Sequence, residues 1–141
     1  MFLDANVLYS AAYRPQSPLR QLWALAETEL WSSGYAVAEA LGNLREDRPE
    51  QVAHLERLAA ALRLYEALST SAALPGDVEL VAKDRPILQA AIAARATHLL
   101  TGDKRHFGSL FGRTVAGVQI LPPSDYFRIR NLSREGKEQT G

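Results

Sequence analysis

Residues 83–108, KDRPILQAAIAARATHLLTGDKRHFG, decide the fold. Pro86 suits the first turn of a helix, where its missing N–H removes no bond. Ile87, Ala90, Ala91 and Ala94 follow at the three- and four-residue spacing of one packed helix face. Thr97 to Thr101 then has the apolar, β-branched character of a strand, and Gly102-Asp103 is a turn signal. A helix running straight into a buried strand belongs to a βαβ unit. In open sheets built from such units, ligands sit beyond the carboxyl ends of the strands, where strand order reverses. Asp103 would stand at that end.

The flanking chain extends the pattern in both directions. Phe2-Leu3-Asp4 is a short strand ending in an acid, and a helix begins near Ala5. Pro15 and Pro18 punctuate the chain, and Leu19, Leu22, Trp23 and Leu25/Ala26 have helical spacing. Leu30-Trp31-Ser32 is expected to be a second strand, broken by Gly34, and Val37, Ala38, Leu41 and Leu44 trace the buried stripe of the next helix. Pro49 opens what the spacing predicts to be one long helix to about Leu68, with Leu55, Leu58, Ala59, Leu62 and Tyr65 inward. Ser69 to Asp77 is a loop with a Pro75-Gly76 turn, and Val78 to Val81 fits strand or loop equally. Val115 to Leu121 is expected to be one strand, ended by Pro122-Pro123, and Ser124-Asp125 caps a last short helix.

Strands alternating with helices predict an α/β fold of three layers, α/β/α, with a central parallel sheet of four to five strands and helices on both faces. One domain is expected over residues 1–131, and the polar stretch 132–141 is expected to be a flexible tail.

Composition narrows the chemistry. With 47% hydrophobic residues in 141, the chain can bury a real core. The absence of Cys removes disulfides, thiolate nucleophiles and Cys-based zinc sites. The amino terminus lacks the pattern of a signal peptide, and no apolar run approaches the roughly 18 residues of a membrane span, so a cytoplasmic protein is expected. Net charge is zero, with 16 basic and 16 acidic residues, which counts against binding nucleic acid by bulk charge alone. Lys104, Arg105, Arg113, Arg128, Arg130, Arg134 and Lys137 nevertheless gather in the last third.

Four acids fall where a parallel sheet would bring them together. Asp4 and Asp103 follow strand ends, Asp84 opens the helix that feeds the Asp103 strand, and Glu39 lies on a helix face with Asn43 and Glu46. Taken singly, Asp4 and Asp84 could be ordinary helix caps, Asp103 a turn residue and Glu39 a solvated one. Taken together, carboxylates gathered in one crevice repel unless a cation holds them, which makes a divalent metal the first hypothesis. An all-oxygen set suits Mg²⁺ or Mn²⁺. His106 is tempting as a general acid, but a lone His near a loop is more often structural.

The segments "FLDANVL", "AEALGNL" and "KDRPILQAAIAARATHLLTGDKRHFG" resemble the PIN domain family, which includes the VapC-type toxins of toxin–antitoxin pairs; the resemblance runs from Met1 to about Phe127. It implies a Mg²⁺- or Mn²⁺-dependent ribonuclease whose acidic quartet falls on Asp4, Glu39, Asp84 and Asp103, with Asp4, Asp84 and Asp103 at the metal. Asn6 and Thr101 would be polar supports for the carboxylates, and Lys104 or Arg105 would steady the RNA backbone. It also implies an antitoxin partner, with Tyr9, Tyr13, Leu22 and Trp23 as candidates for its groove or for a homodimer face. The motif departs from the family after Asp103, where Lys104, Arg105 and His106 replace a further acid or Asn, so one metal is expected rather than two. Two rival readings stand beside it: a PIN-like scaffold with weakened metal binding, and a Mg²⁺-dependent phosphoacceptor domain. The second lacks the acid two residues after Asp4 that a "DxD" motif needs.

Overall fold

The structure, a computed structural model, describes residues 1–25, 28–66 and 74–140, with 132–140 described as backbone alone. It is an α/β fold on a six-stranded, mostly parallel sheet, not the all-parallel sheet of four to five strands expected, because a hairpin adds an antiparallel edge strand. The strands are β1 (Phe2–Leu3), β2 (Trp31–Ser33), β3 (Arg63–Tyr65), β4 (His98–Leu100), β5 (Thr114–Val115) and β6 (Val118–Leu121). Their spatial order is β3-β2-β1-β4-β6-β5, parallel throughout except for β5, which pairs antiparallel with β6. The chain steps outward from β1 through β2 to β3 and then returns to the other side of β1 with β4. The gap beyond the carboxyl ends of β1 and β4 is therefore the point where strand order reverses.

The α-helices are α1 (Ala5–Tyr13), α2 (Gly34–Asp47), α3 (Val52–Ala60), α4 (Arg85–Ala93), α5 (Lys104–Phe107) and α6 (Pro123–Thr140). Helices α1, α2 and α3 pack on one another, whereas α4 packs on β2 and β4. Right-handed crossovers put a helix reached while moving toward β3 on one face and a helix reached while returning on the other. The arrangement is compatible with a three-layer sandwich.

β1 has only two residues, yet it is central. Trp31 N–H donates to Met1 O at 2.7 Å on one side, and Asp4 N–H donates to Leu100 O at 3.0 Å on the other. Phe2 and Leu3 are fully buried. Burying two such side chains contributes roughly 3–6 kcal/mol, which fixes a strand too short to hold itself. Asp4 is thus the last residue the sheet still holds before α1 begins.

Several expectations need correction. The helix expected from Pro49 to about Leu68 is a 3₁₀ turn (Pro49–Gln51), then α3, and the chain crosses into β3 at Arg63. Ala61 and Leu62 N–H groups donate to Leu58 O and Ala59 O, the tightened bonds of a helix ending. Arg63 N–H then pairs with Leu30 O at 2.9 Å, so cross-strand bonding overrides helical spacing. The expected end at Leu68 and the loop residues 69–73 lie outside the described residues, as does Ala26.

The strand expected over Val115–Leu121 is a hairpin. Ala116 and Gly117 sit between β5 and β6 at φ 49° and 88°, the positive pair a two-residue turn of the right twist requires. Leu19 to Ala24 belongs to a 3₁₀ helix from Pro18 rather than an α-helix, and the residues buried on α2 are Ala36, Ala40 and Leu44, with Ala38 exposed. The last helix is 18 residues long, not short. Val78 to Val81 forms neither strand nor helix.

No helix among the described residues is long and apolar enough to cross a membrane.

Candidate functional site

Beyond the ends of β1 and β4 lies an open cavity of about 260 Å³. Asp4, Glu39, Asp84 and Asp103 all line it, drawn from four separate places in the chain. Asn43 and Asp47 continue the Glu39 face of α2 at four-residue steps, so the stripe runs 39-43-47 rather than through Glu46. Among the described residues, five carboxylates face this space against a single cation, Lys83.

Asp4 is held on every side. Its Oδ1 caps α1 by accepting from Ala5 N–H at 2.7 Å, and its Oδ2 accepts the Thr101 hydroxyl at 2.8 Å and the Asn6 amide at 3.3 Å. Residues Asn6 and Thr101 form a clamp between the two strand ends. The Asn6 amide also donates to Thr101 Oγ1 at 3.1 Å, and Asn6 Oδ1 accepts Gly102 N–H at 2.9 Å. Thr101 Oγ1 accepts Asp103 N–H at 3.2 Å, so one fully buried hydroxyl ties the Asp4 carboxylate to the Asp103 backbone. Asn6 and Thr101, expected as polar supports, both hydrogen-bond to the Asp4 carboxylate.

Burial pushes the Asp4 carboxyl up from 3.8 to about 6, against the opposing pull of its Thr101 and Ala5 hydrogen bonds; the charges of Asp84 and Glu39 add to the rise.

Asp84 and Asp103 differ in how they meet their helices. Asp84 stands at the N-cap position of α4, yet its side chain makes no capping bond. Asp103 does cap α5, its Oδ1 accepting His106 N–H at 3.1 Å. The His106 ring lies over the same acids. Nδ1 of His106 lies 2.8 Å from Asp103 Oδ2 and 2.9 Å from Asp84 Oδ2. Neither contact has hydrogen-bond geometry, and among the described residues both Nδ1 and Asp84 Oδ2 are buried atoms without a hydrogen-bond partner. Burial raises the Asp84 carboxyl above its usual range; His106 and Lys83 pull the other way, and Asp103 adds to the rise.

Asp84, Asp103 and His106 each offer one ligand atom, all within 4.8 Å of one another, and among the described residues they form the one such group of three. Two carboxylates and an imidazole are chemically apt for a divalent cation, and the unpartnered Asp84 oxygen and His106 nitrogen are what such an ion would satisfy. This acidic cluster can hold a metal ion. Asp4 and Glu39 line the same cavity outside that triplet.

His106, expected from the chain to be structural more often than catalytic, stands three residues after Asp103 with its ring beside both acids. Tyr9, Asn43, Asp47 and Lys83 also line the cavity. The Tyr9 hydroxyl donates to Asp47 at 2.6 Å, which pushes its phenol up to about 12. Lys104 and Arg105 are exposed at the start of α5; Lys104 borders a neighbouring cavity of about 320 Å³ shared with Asn6 and Leu19.

The side chains expected at a partner groove or homodimer face divide between the core and its margin. Leu22 is buried, Tyr9, Tyr13 and Trp23 pack partly against the core, and the Trp23 indole donates to Leu58 O at 3.0 Å. His54 receives Arg20 and Arg57, and His98 stacks edge-on against Tyr126, so both have structural surroundings.

No protein-family model and no curated protein sequence matches the chain.

Proposed function

We propose that the chain is a PIN-like, metal-dependent endoribonuclease, and that it acts as the toxin component of a toxin–antitoxin pair. The observation that carries the proposal is the convergence of Asp4, Glu39, Asp84 and Asp103 on one cavity at the reversal of strand order. The resemblance of the motifs around these four acids to the PIN family supplies the reaction class.

Asp84 and Asp103 would hold a single Mg²⁺ or Mn²⁺, with Asp4 facing it from the β1 end. When bound, a divalent cation lowers the pKa of water and neutralises charge developing on a phosphate. The chain's own residues do the rest. Thr101 and Asn6 keep the Asp4 carboxylate in one orientation, which matters because a misplaced carboxylate costs reactivity steeply. Glu39 reaches the cavity from α2, where its carboxylate can take the proton of an attacking water. Lys83 and Lys104 offset the repulsion an RNA backbone meets on approaching five acids. The attack opens the phosphodiester with a 5′-phosphate left on one product and a 3′-hydroxyl on the other.

Incubation of the purified chain with single-stranded RNA of mixed sequence tests this. Cleavage is expected with Mn²⁺ or Mg²⁺, none with EDTA, and a loss of about 100-fold or more for Asp103→Asn and Glu39→Gln, the scale of a general base or a lost charge-stabilising group. A wild-type chain that binds divalent ions but cleaves nothing would mark a scaffold instead, and labelling by acetyl phosphate a phosphoacceptor. As a toxin, the chain expressed alone is expected to arrest growth, and Asp103→Asn to relieve the arrest. The restraint we propose in the cell is an antitoxin segment covering the acidic cavity; a homodimer is tested by the mass of the purified chain in solution.

A further inference from the structure

We infer that His106 is a nitrogen ligand of the metal in the acidic cavity, so that the site takes a first-row transition ion in preference to Mg²⁺. The inference rests on the metal-binding reading of the cavity given above. The ring sits on an ordered turn: the cap between the backbone N–H of His106 and Asp103 Oδ1, at 3.1 Å, sets the first turn of α5, and the imidazole Nδ1 lies 2.9 Å from Asp84 Oδ2. The side chains are mostly buried, with relative exposures of 20% for His106 and 10% for Asp84.

Nδ1 stands 2.8 and 2.9 Å from two carboxylate oxygens without hydrogen-bond geometry to either. An imidazolium paired with two acids would aim its N–H along one of those lines. A bare nitrogen lone pair this close to two carboxylates would be repelled by both. Neither arrangement gives the buried Nδ1 or Asp84 Oδ2 a hydrogen bond. An octahedral ion with bonds of about 2.1 Å spaces adjacent ligand atoms by about 3.0 Å, the bond length times the square root of two. The two observed separations are those of neighbouring ligands on such a shell.

A nitrogen donor changes which ion is favoured. Mg²⁺ takes oxygen and dehydrates reluctantly, whereas imidazole steepens affinity toward the later first-row ions. Three His in 141 residues are few, yet one placed against two acids is enough to shift the order.

Co²⁺ is the probe, used with the full chain. Proton NMR of the Co²⁺-loaded wild type is expected to show one strongly shifted, solvent-exchangeable resonance, the Nε2–H of a ring bound through Nδ1. It should be absent from His106→Ala, whose fold is checked by circular dichroism. Calorimetry is expected to show Co²⁺ bound more tightly than Mg²⁺ by the wild type. His106→Ala should shrink that ratio by about tenfold or more, the size of effect that groups around a metal carry. Co²⁺ bound by the wild type without the shifted resonance, a resonance that survives in His106→Ala, or an unchanged ratio overturns the role of His106 and leaves the metal site standing. Absence of binding of either ion to the wild type overturns the metal site itself.

Discussion

Replacing Asp4 by Asn should make the metal-free protein more stable at neutral pH, not less. Asp4 is 4% exposed, and its carboxyl is pushed from 3.8 to about 6. Below pH 3.8 the group is protonated in both folded and unfolded chains and costs nothing. As pH rises toward 6, the unfolded chain gives up the proton while the folded chain keeps it, so stability falls. The rise from 3.8 to about 6, at 1.36 kcal/mol per pH unit, amounts to about 3 kcal/mol lost by the time the pH passes 6. Asn keeps the shape and cannot ionise. It also turns an amide N–H₂ toward a position that accepts from Thr101 and Asn6, which costs about 1 kcal/mol. The net gain at pH 7.5 is therefore about 2 kcal/mol. For 141 residues the unfolding entropy near the midpoint is about 0.3 kcal/mol/K, so Tm should rise by about 7 °C. Urea melts of both proteins in EDTA, from pH 4 to 8, read the effect directly. The curves should cross near pH 4 to 5, with the variant ahead above and behind below. A variant less stable than wild type at pH 7.5, or one with the same pH slope, would refute the assignment of a buried, destabilising charge to Asp4.

Three other outcomes are expected. Thr101→Val removes a buried hydroxyl that donates to Asp4 and accepts from Asn6 and Asp103, and should cost about 3 kcal/mol, or about 10 °C in Tm, where a loss under about 1 kcal/mol would show the clamp to be idle. A divalent ion at one hundred times its Kd should stabilise the wild type by about 2.7 kcal/mol, about 9 °C by differential scanning fluorimetry, and Asp84→Asn/Asp103→Asn should abolish that rise. Ala116→Gly relieves a left-handed backbone at φ 49° costing about 1–2 kcal/mol, partly offset by the greater freedom of Gly when unfolded, so a gain of about 0.5 kcal/mol in denaturant melts is expected and a loss would count against the hairpin.

How much of this was legible in the chain differs from element to element. The helix after Asp84 and the strand ending at Leu100 were legible because their apolar spacing and their burial coincide: Ile87, Leu88, Ala90, Leu99 and Leu100 are all core. The β3 strand was not, because Leu62 and Tyr65 continue a helical stripe while Arg63 bonds across to Leu30. Local spacing carries no record of a partner some thirty residues away. The β5–β6 turn was missed for a similar reason: Ala116-Gly117 lacks the Asn or Asp that usually announces two positive φ angles. For the site, the positions of Asp4, Asp84 and Asp103 beside strand ends and helix starts were enough to bring them together. The place of His106 beside the acids escaped because it depends on the course of α5 after Asp103, which local spacing does not give.

The clamp between Asn6 and Thr101 also has a consequence in time. Its two halves lie 95 residues apart, and β1 stays without its β4 neighbour until residues 98–100 exist. During synthesis the amino-terminal part of a chain emerges and begins to fold first. Here that part carries Asp4 and Glu39 but has neither Asp84 nor Asp103, and its β1 strand is paired on one side only. Until residues 98–103 have been made, the strand end and the acid that complete the cavity are missing. Whatever chemistry the acids perform is withheld until Asp103 has joined them.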